Sequence, residues 1–170
     1  MLGIDPGTAI LGYGVVAVRS SVAAGGVSLV ECGVVRTRAH EPLPARLAVI
    51  FDGVAELVER HRPDAIAVEG LFHGRNARSA LVLGHARGVV LLAAERAHLP
   101  VAEISPAEVK RAVTGTGAAT KPQVGAMVMR LLRLAAAPTP ADAADGVAIA
   151  LTHLLRLQPR ARLAGPGVRR

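Results

Sequence analysis

Four acidic residues occur where a folded chain could bring carboxylates together. Asp5 ends a short apolar run and enters a Pro-Gly turn, and Glu69 ends a second apolar run. Asp142 and Asp145 are three residues apart in a segment that is otherwise small and apolar. Carboxylate oxygens are the ligands that hard divalent cations prefer in proteins. If the four side chains converge, the sequence predicts a metal site built from acids alone.

The elements that must position these acids can be predicted from the spacing of apolar residues. Runs rich in Val and Ile predict five strands, the first three antiparallel. Between and after them, apolar residues recur with the helical period. Such an order is typical of an α/β fold with a five-stranded mixed sheet, three antiparallel strands followed by parallel ones, and helices on both faces. The predicted strands are residues 2–5, 12–20, 27–37, 65–69 and 101–104, and the predicted helices begin near 45, 77, 106, 121 and 140.

Convergence of the acids follows if the first and fourth strands are parallel neighbours. Asp5 and Glu69 then emerge at the same edge of the sheet, the usual crevice for a ligand in such folds. Asp142 and Asp145 share one face in the first turns of the last helix. Two like charges about 4 Å apart repel by about 4 kcal/mol even at an effective dielectric constant near 20, so cations are required.

The chemistry of the donors selects the cation. With neither Cys nor His nearby, an all-oxygen set favours Mg²⁺, with Mn²⁺ as a substitute, and disfavours zinc. Two such ions about 3.5–4 Å apart form the site that hydrolyses phosphodiesters. We therefore expect two Mg²⁺ ions per site.

Each acid also has an ordinary structural interpretation. Asp-Pro-Gly is a common turn in which the side chain of Asp5 could cap its own backbone. Asp142 could belong to a capping box with Thr139, and Asp145 would favour the positive end of the helix dipole. Glu69 could simply meet solvent at the end of its strand. For a single acid these interpretations remain open, and it is the set of four that favours a metal site.

Composition narrows the class of partner. The chain has 170 residues, 51% of them hydrophobic, and a net charge of +7, which favours a polyanionic partner. Its only aromatic residues are Tyr13, Phe51 and Phe72, so modules that read bases on aromatic platforms fit poorly. A basic protein with an acidic metal pocket has the charge pattern of a nuclease.

Location and domain organisation follow from simple patterns. No basic segment followed by an apolar stretch opens the sequence, and charged residues interrupt every long apolar stretch. We therefore expect a soluble, cytoplasmic, nucleoid-associated protein. Residues 1–157 are predicted to form one nuclease domain, and the Arg-, Pro- and Gly-rich residues 158–170 a disordered basic tail.

Five segments in order resemble one known family. They are residues 3–7 (GIDPG), 68–72 (VEGLF), 79–81 (SAL), 84–88 (GHARG) and 141–150 (ADAADGVAIA). Together they resemble the RuvC family of bacterial Holliday-junction resolvases, over residues 2–156. The resemblance implies a ribonuclease H-like fold and a homodimer that uses divalent metal to cut two opposed strands of a four-way junction. It also implies a role in recombination and repair beside a branch-migration complex of the RuvA–RuvB type.

The resemblance also assigns roles to individual residues. Asp5, Glu69, Asp142 and Asp145 resemble the family's catalytic metal-binding carboxylates, with Asp5 expected to contact both ions. Lys110 and Lys121 resemble the family's basic residues that approach the phosphates of the cleaved strand, and Lys121 is also expected in the catalytic set. Both lysines could instead be ordinary solvated residues.

Further candidate contacts to DNA lie in or near the segments that resemble the family. Phe72 resembles an aromatic residue that stacks on a base near the junction centre, although it could instead belong to the core. Four arginines are candidates for the DNA backbone, although most surface arginines are merely solvated: Arg75, Arg78, Arg87 and Arg111.

Three other functions remain to be distinguished, and the dimer interface has one candidate. A related nuclease could cut RNA–DNA hybrids, and a non-catalytic protein could bind junctions without cleaving them. Asp-Pro-Gly-Thr also resembles the phosphate turn of sugar kinases and actin-like ATPases, but those need two such domains and this chain is too short. The helix predicted over residues 77–97 is apolar on more than one face, which makes it the candidate for part of a dimer interface.

Overall fold

A computed structural model describes residues 1–18, 26–70 and 77–157, apart from the side chain of Arg78. The predicted tail, residues 158–170, lies outside the described residues. Five strands and five helices are described in this part of the chain. In order they are β1 (Leu2–Asp5), β2 (Ile10–Val18), β3 (Val27–Arg36), α1 (Leu43–His61), β4 (Ile66–Glu69), α2 (Ala77–Arg96), β5 (Val101–Ile104), α3 (Pro106–Thr114), α4 (Lys121–Leu132) and α5 (Ala141–Leu157).

The strands form a single mixed sheet in the order β3-β2-β1-β4-β5. β1 pairs antiparallel with β2, and β2 pairs antiparallel with β3. β4 is parallel to β1 on its other side, and β5 is parallel to β4. The predicted fold class, with three antiparallel strands followed by parallel ones, is confirmed.

The starts of two elements, β2 and α1, each differ from the predicted start by two residues. β2 begins at Ile10 rather than residue 12, because its first residues continue the ladder to β3, where Ile10 is opposite Arg36. α1 begins at Leu43 rather than residue 45, with Pro44 in its first turn, where a missing N–H costs nothing. Both differences reflect pairing or sterics at an element end, where periodicity carries little information.

Helices cover both faces of the sheet, and alternate residues of each strand point to different layers. Leu2 and Ile4 of β1 pack with α1 and α2, as do Ile66 and Val68 of β4. Ala67, between those two, belongs to the opposite core with residues of α3, α4 and α5. The period of two along each strand therefore separates two apolar cores.

α5 lies unusually close to the sheet because glycines face it. A Cβ on Gly3 would lie 2.2 Å from the carbonyl oxygen of Gly146, and one on Gly14 would lie 2.5 Å from the Cα of Val147. No side chain fits in such gaps, so these positions let helix and strand backbones touch. Since α5 carries two of the four acids, this packing sets their height above the sheet.

The two helices beside the acids have defined starts. At the start of α3, the backbone N–H of Ser105 donates to the Glu108 carboxylate at 2.8 Å, and the N–H of Glu108 donates to the Ser105 hydroxyl at 3.3 Å. These two reciprocal bonds form a capping box. At the start of α4, the N–H of Thr120 donates to the Gln123 side chain at 2.8 Å. Lys121 is the first residue of α4, so this cap fixes where its side chain leaves the backbone.

Within the described ranges, none of the helices combines the length and the apolar character that a membrane span needs.

Candidate active site

The carboxyl ends of two parallel strands bring the first two acids together. Asp5 ends β1 and Glu69 ends β4. Ile4 is opposite Val68 in the β1–β4 ladder, so the next residue of each strand emerges at the same edge. This is the juxtaposition predicted from the sequence.

The first turns of α5 bring in the other two acids. The charges of Asp142 and Asp145 both act on the Asp5 carboxyl group, together with that of Glu69. Burial is the largest cause, followed by the hydrogen bond with Glu69 and the three negative charges, and together they raise the pKa of Asp5 to about 7. Asp142 and Asp145 therefore lie near enough to Asp5 for their charges to act on it, and the role of the four acids as metal ligands stays a prediction.

Lys121 places a positive charge beside this cluster. Its Nζ donates to Oδ2 of Asp145 at 2.7 Å, although the Lys121 side chain is 71% exposed. That hydrogen bond, followed by the charges of Asp145, Asp5 and Asp142, raises the pKa of Lys121. The ammonium therefore stays charged and partly neutralises the acids.

A cavity of about 250 Å³ opens over three of the four acids, and Asp142 is not among the residues that line it. Its polar wall includes Asp5, Glu69 and Asp145, with Lys110 and Lys121 beside them. The rest of the lining is apolar and comes from α3, α4 and α5: Pro106, Val109, Val124, Ala148 and Ile149. An apolar wall lowers the local dielectric constant and strengthens the interaction of the acids with any cation that enters.

The donor set fits a hard divalent cation in its chemistry. The ionisable side chains that line the cavity are carboxylates and lysines, and oxygen ligands favour Mg²⁺ or Mn²⁺. In the described part of the chain, no group of three or more His, Cys, Asp or Glu side chains is arranged to hold an ion as it stands. Bare carboxylates repel one another, and Asp145 is engaged by Lys121. Binding an ion therefore requires these side chains to draw together.

The predicted DNA-contacting residues have different surroundings. Lys110 lines the cavity, and Arg111 is exposed on α3. Arg87 forms an ion pair with Glu103, and its side chain is only 15% exposed, so a phosphate would have to displace that partner. Phe72 and Arg75 lie outside the described residues, as does the side chain of Arg78.

Sequence reasoning did not select three residues that hold the turn after Asp5. The Thr37 hydroxyl donates to the Thr8 carbonyl oxygen at 2.6 Å, and Nε of Arg46 donates to the same oxygen at 3.1 Å. Thr37 and Arg46 are 29 and 38 residues from Thr8 in the chain. No local sequence pattern connects residues so far apart. The only available signal was that β3 is parallel to β1, so that Thr37, after β3, and Thr8, after β1, lie at the same edge of the sheet.

The comparisons with known proteins agree with this geometry. The family model described as crossover junction endodeoxyribonuclease RuvC matches residues 1–153. The protein of that name from Moorella thermoacetica is 50% identical over 153 residues, covering 90% of this chain and 89% of the relative. The one from Aeromonas hydrophila is 47% identical over 165 residues, covering 97% and 92%.

Solved structures show the same fold. Thermus thermophilus RuvC in complex with a Holliday junction substrate matches with a TM-score of 0.85 and 42% identity, covering 92% of this chain and 93% of that one. The yeast mitochondrial Holliday junction resolvase, 16% identical with a TM-score of 0.64 over 91% of this chain and 77% of that one, shares the fold. With a family match over 153 residues and relatives near 50% identity, the chain belongs to the RuvC family of crossover junction endodeoxyribonucleases.

Proposed function

We propose that this chain resolves Holliday junctions, hydrolysing one phosphodiester in each of two opposed DNA strands, in recombination and repair. Membership of the family supports the activity. The observation that carries it is the cavity at the carboxyl ends of β1 and β4, which is lined by Asp5, Glu69 and Asp145 with Lys110 and Lys121 beside them. Such a cluster, in a chain with a net charge of +7, suits a cation-assisted reaction on a polyanion.

The four acids, Asp5, Glu69, Asp142 and Asp145, would hold the metal. Two bound divalent cations would supply a nucleophilic water and stabilise the leaving oxygen. The acids themselves bind and orient, and Asp5, whose pKa is near 7 without metal, must lose its proton to act as a ligand. The site residues are Asp5, Glu69, Asp142 and Asp145.

The two lysines would bind the phosphates of the cleaved strand. Lys121 now neutralises Asp145, and a cation bound by Asp145 would take over that role. The freed ammonium would then turn to a phosphate oxygen, as its exposure allows. Lys110, on the other side of the same cavity, would approach the strand from α3.

The decisive experiment compares substrates and metals. A synthetic four-way junction, a linear duplex and an RNA–DNA hybrid are incubated with Mg²⁺ or Mn²⁺, using the wild-type protein and Asp5→Asn. We expect paired nicks in the junction alone, lost in the variant while junction binding persists. Cleavage of the hybrid but not the junction would identify a different nuclease. Binding without cleavage in both metals would leave a junction-binding protein.

Symmetric cutting requires two sites, and we infer that the chain forms a two-fold dimer through α2. The side chains of Leu81 and Leu92 are exposed on α2, by 64% and 53%. An apolar groove of about 560 Å³ runs between them and α1. A Cβ on Gly84 or Gly88 would meet nothing within 4 Å, so a second helix could approach closely there.

Light scattering tests this interface. Leu81→Glu combined with Leu92→Glu should convert the dimer to a monomer. The matched control is Val30→Glu, which places the same charge on an apolar residue of β3 that is 53% exposed. A dimer that survives the double substitution would contradict the assignment of α2.

The setting of the reaction follows from the proposed substrate. Junction DNA occurs on the bacterial chromosome, so we infer a cytoplasmic, nucleoid-associated protein. A branch-migration complex of the RuvA–RuvB type would share the same junction. Joint binding of both to one synthetic junction, followed by gel shift, tests this partnership.

A further inference from the structure

Three arginines form a basic corner beside the active-site turn: Arg36, Arg38 and Arg46. β3 runs parallel to β1 because both are antiparallel to β2, so β3 ends at the same sheet edge as Asp5. Arg36 is the last residue of β3, and the N–H of the next residue, Thr37, donates to the carbonyl oxygen of Ala9 at 3.0 Å. The basic corner therefore adjoins residues 6–9, the turn that follows Asp5.

Arg46 is anchored in a defined direction. Its Nε donates to the Thr8 carbonyl oxygen and to the Thr37 hydroxyl, each at 3.1 Å. These bonds use one of the five N–H groups of the guanidinium. Its terminal amino groups form no hydrogen bond or ion pair with any residue of the described ranges. A partly buried, fixed guanidinium with its outer edge unpaired is suited to bind an anion.

The charge of the corner is only slightly compensated. Arg38 lies 3.5 Å from Glu41, a pair in which the Arg38 side chain is 77% exposed. Exposed pairs of this kind contribute little and are easily exchanged. Within the part of the chain that the structure describes, Arg36 has no acidic partner. Of the three arginines, only Arg38 therefore has an acidic partner, Glu41, within the described residues.

The position of the basic corner relative to the acids indicates which ligand it would bind. Lys110 and Lys121 approach the acids from α3 and α4, which pack on the face of the sheet that carries α5. The basic corner lies on the other side of Asp5, at the β2–β3 end of the same edge. A strand whose scissile phosphate sits at the acids must continue in both directions, with a phosphate at each nucleotide. Guanidinium groups match phosphate oxygens with two parallel hydrogen bonds.

We propose that Arg46, with Arg36 and Arg38, binds backbone phosphates of the junction DNA on the β2–β3 side of the active site. This rests on the proposed function, since it names further contacts of the same substrate. Arg46 is the central residue because its Nε already fixes it to the Asp5 turn. A DNA phosphate on its outer edge would thus be held in register with the metal-binding acid.

Salt dependence of binding separates a phosphate contact from a purely structural bond. Binding of a labelled four-way junction is followed by fluorescence anisotropy in EDTA at several salt concentrations, so that no cleavage intervenes. Arg46→Gln should reduce the slope of log K against log salt by about 0.9 and weaken binding about tenfold near 0.1 M salt. Arg46→Lys should retain the wild-type slope.

Thr37→Val is the matched control. It removes a hydrogen bond to the same guanidinium and to Thr8, but leaves the charge in place. We expect its salt slope to equal that of the wild type. If Arg46→Gln also keeps the wild-type slope, or if both variants lose the same affinity without a change in slope, Arg46 is only a structural support and the proposal is wrong. A wild type that binds with the expected slope, but does not cleave the junction when Mg²⁺ or Mn²⁺ is supplied in place of EDTA, would instead contradict the proposed function.

Discussion

Gly12 of β2 lies directly beneath the backbone of Asp142. A Cβ on Gly12 would be 1.9 Å from the Asp142 carbonyl oxygen, far inside van der Waals contact. Gly12 is also opposite Asp5 in the β1–β2 ladder. One position without a side chain therefore connects the strand beside Asp5 to the helix that carries Asp142, and it sets the separation of two acids that we propose share a cation.

Gly12→Ala should damage the metal site more than it damages the fold. The new methyl group has to push the start of α5 away from β2, which separates Asp142 from Asp5. We expect a loss of about 1–3 kcal/mol in the free energy of unfolding, as overpacking typically costs. The metal concentration that gives half-maximal cleavage should rise at least about tenfold, because ligand geometry is held by packing.

Gly14→Ala is the control for this substitution. Its Cβ would lie 2.5 Å from the Cα of Val147, farther along α5 from Asp142. A comparable loss of stability with a smaller change in metal requirement is expected, from thermal unfolding and metal titration of both variants. Equal metal requirements in the two variants would show that Gly12 has no particular role in positioning Asp142.

Asp5 should make the metal-free protein less stable as pH rises. Burial and the hydrogen bond with Glu69, together with the neighbouring negative charges, raise its pKa from 3.8 to about 7, so the folded state holds this proton more tightly than the unfolded chain does. Its contribution is fully present below about pH 4 and is lost as pH rises through about 7. In EDTA at pH 8, Asp5→Asn should therefore raise the melting temperature.

The size of this effect follows from linkage. Each unit of pKa shift corresponds to about 1.4 kcal/mol, and each kcal/mol moves the melting temperature of a chain of this size by about 2–4 °C. We expect an increase of several degrees at pH 8 that shrinks towards pH 4. Asp52→Asn, at an exposed position of α1, is the control and should change little at either pH. An Asp5→Asn variant that melts below the wild type at pH 8 would contradict the destabilising effect expected of the ionised Asp5 carboxylate.

Glu31, which lies away from the active site, should affect stability with the opposite pH dependence to Asp5: it should stabilise the fold at neutral pH and lose this effect as pH falls. It accepts hydrogen bonds from the Tyr13 hydroxyl at 2.8 Å and from Arg60 at 2.9 Å, and its other oxygen lies 2.9 Å from Nε2 of His61. The hydrogen bond from Tyr13, followed by the charges of Arg60 and His61, lowers the pKa of Glu31. A lowered carboxyl pKa stabilises the fold above the unfolded value near 4.5, and this is lost as pH falls.

Glu31→Gln should therefore lower the melting temperature at pH 7 by a few degrees, and this difference should shrink as pH falls below 4.5, with junction cleavage unaffected. Glu56→Gln is the matched control. Glu56 contacts the same Arg60 at 3.4 Å, but its side chain is 71% exposed, so its removal should have almost no effect. Equal losses in both variants would mean that Glu31 acts only as a surface ion pair.

The acids were predictable because they lie at element ends that local patterns define. Asp5 and Glu69 end apolar runs, and parallel pairing of those runs is sufficient to place them together. Asp142 and Asp145 follow from helical spacing. Ser105 and Glu108 mark the start of α3 within four consecutive residues. In each case the information is contained within one element or in the strand order.

Long-range side-chain contacts were not predictable in the same way. Arg87 was selected as a DNA contact and remains a prediction, yet it is paired with Glu103, and nothing in either local sequence connects α2 to β5 there. The bond from Arg46 to Thr8 depends on how α1 passes the end of β3. Such contacts are set by the packing of whole elements, which periodicity does not encode.

Lys121 should affect catalysis without affecting stability. Its hydrogen bond to Asp145 is 2.7 Å long, but the side chain is 71% exposed, so its removal should change the free energy of unfolding by less than about 0.5 kcal/mol. Lys121→Met keeps the length of the chain and deletes the charge beside Asp145. We expect junction cleavage to fall by about 10²-fold, the loss typical of one group that stabilises developing charge.

The metal dependence of Lys121→Met identifies the origin of that loss. Without the competing ammonium, Asp145 is free to hold a cation, so the metal concentration for half-maximal cleavage should fall while the maximal rate drops. Lys110→Met is the control. Lys110 lines the same cavity but has no hydrogen bond to Asp145, so its substitution should leave the metal requirement unchanged. If Lys121→Met instead raises the metal requirement at an unchanged maximal rate, the lysine organises the acids rather than the phosphate, because only a group that supports ligand geometry would weaken metal binding when removed.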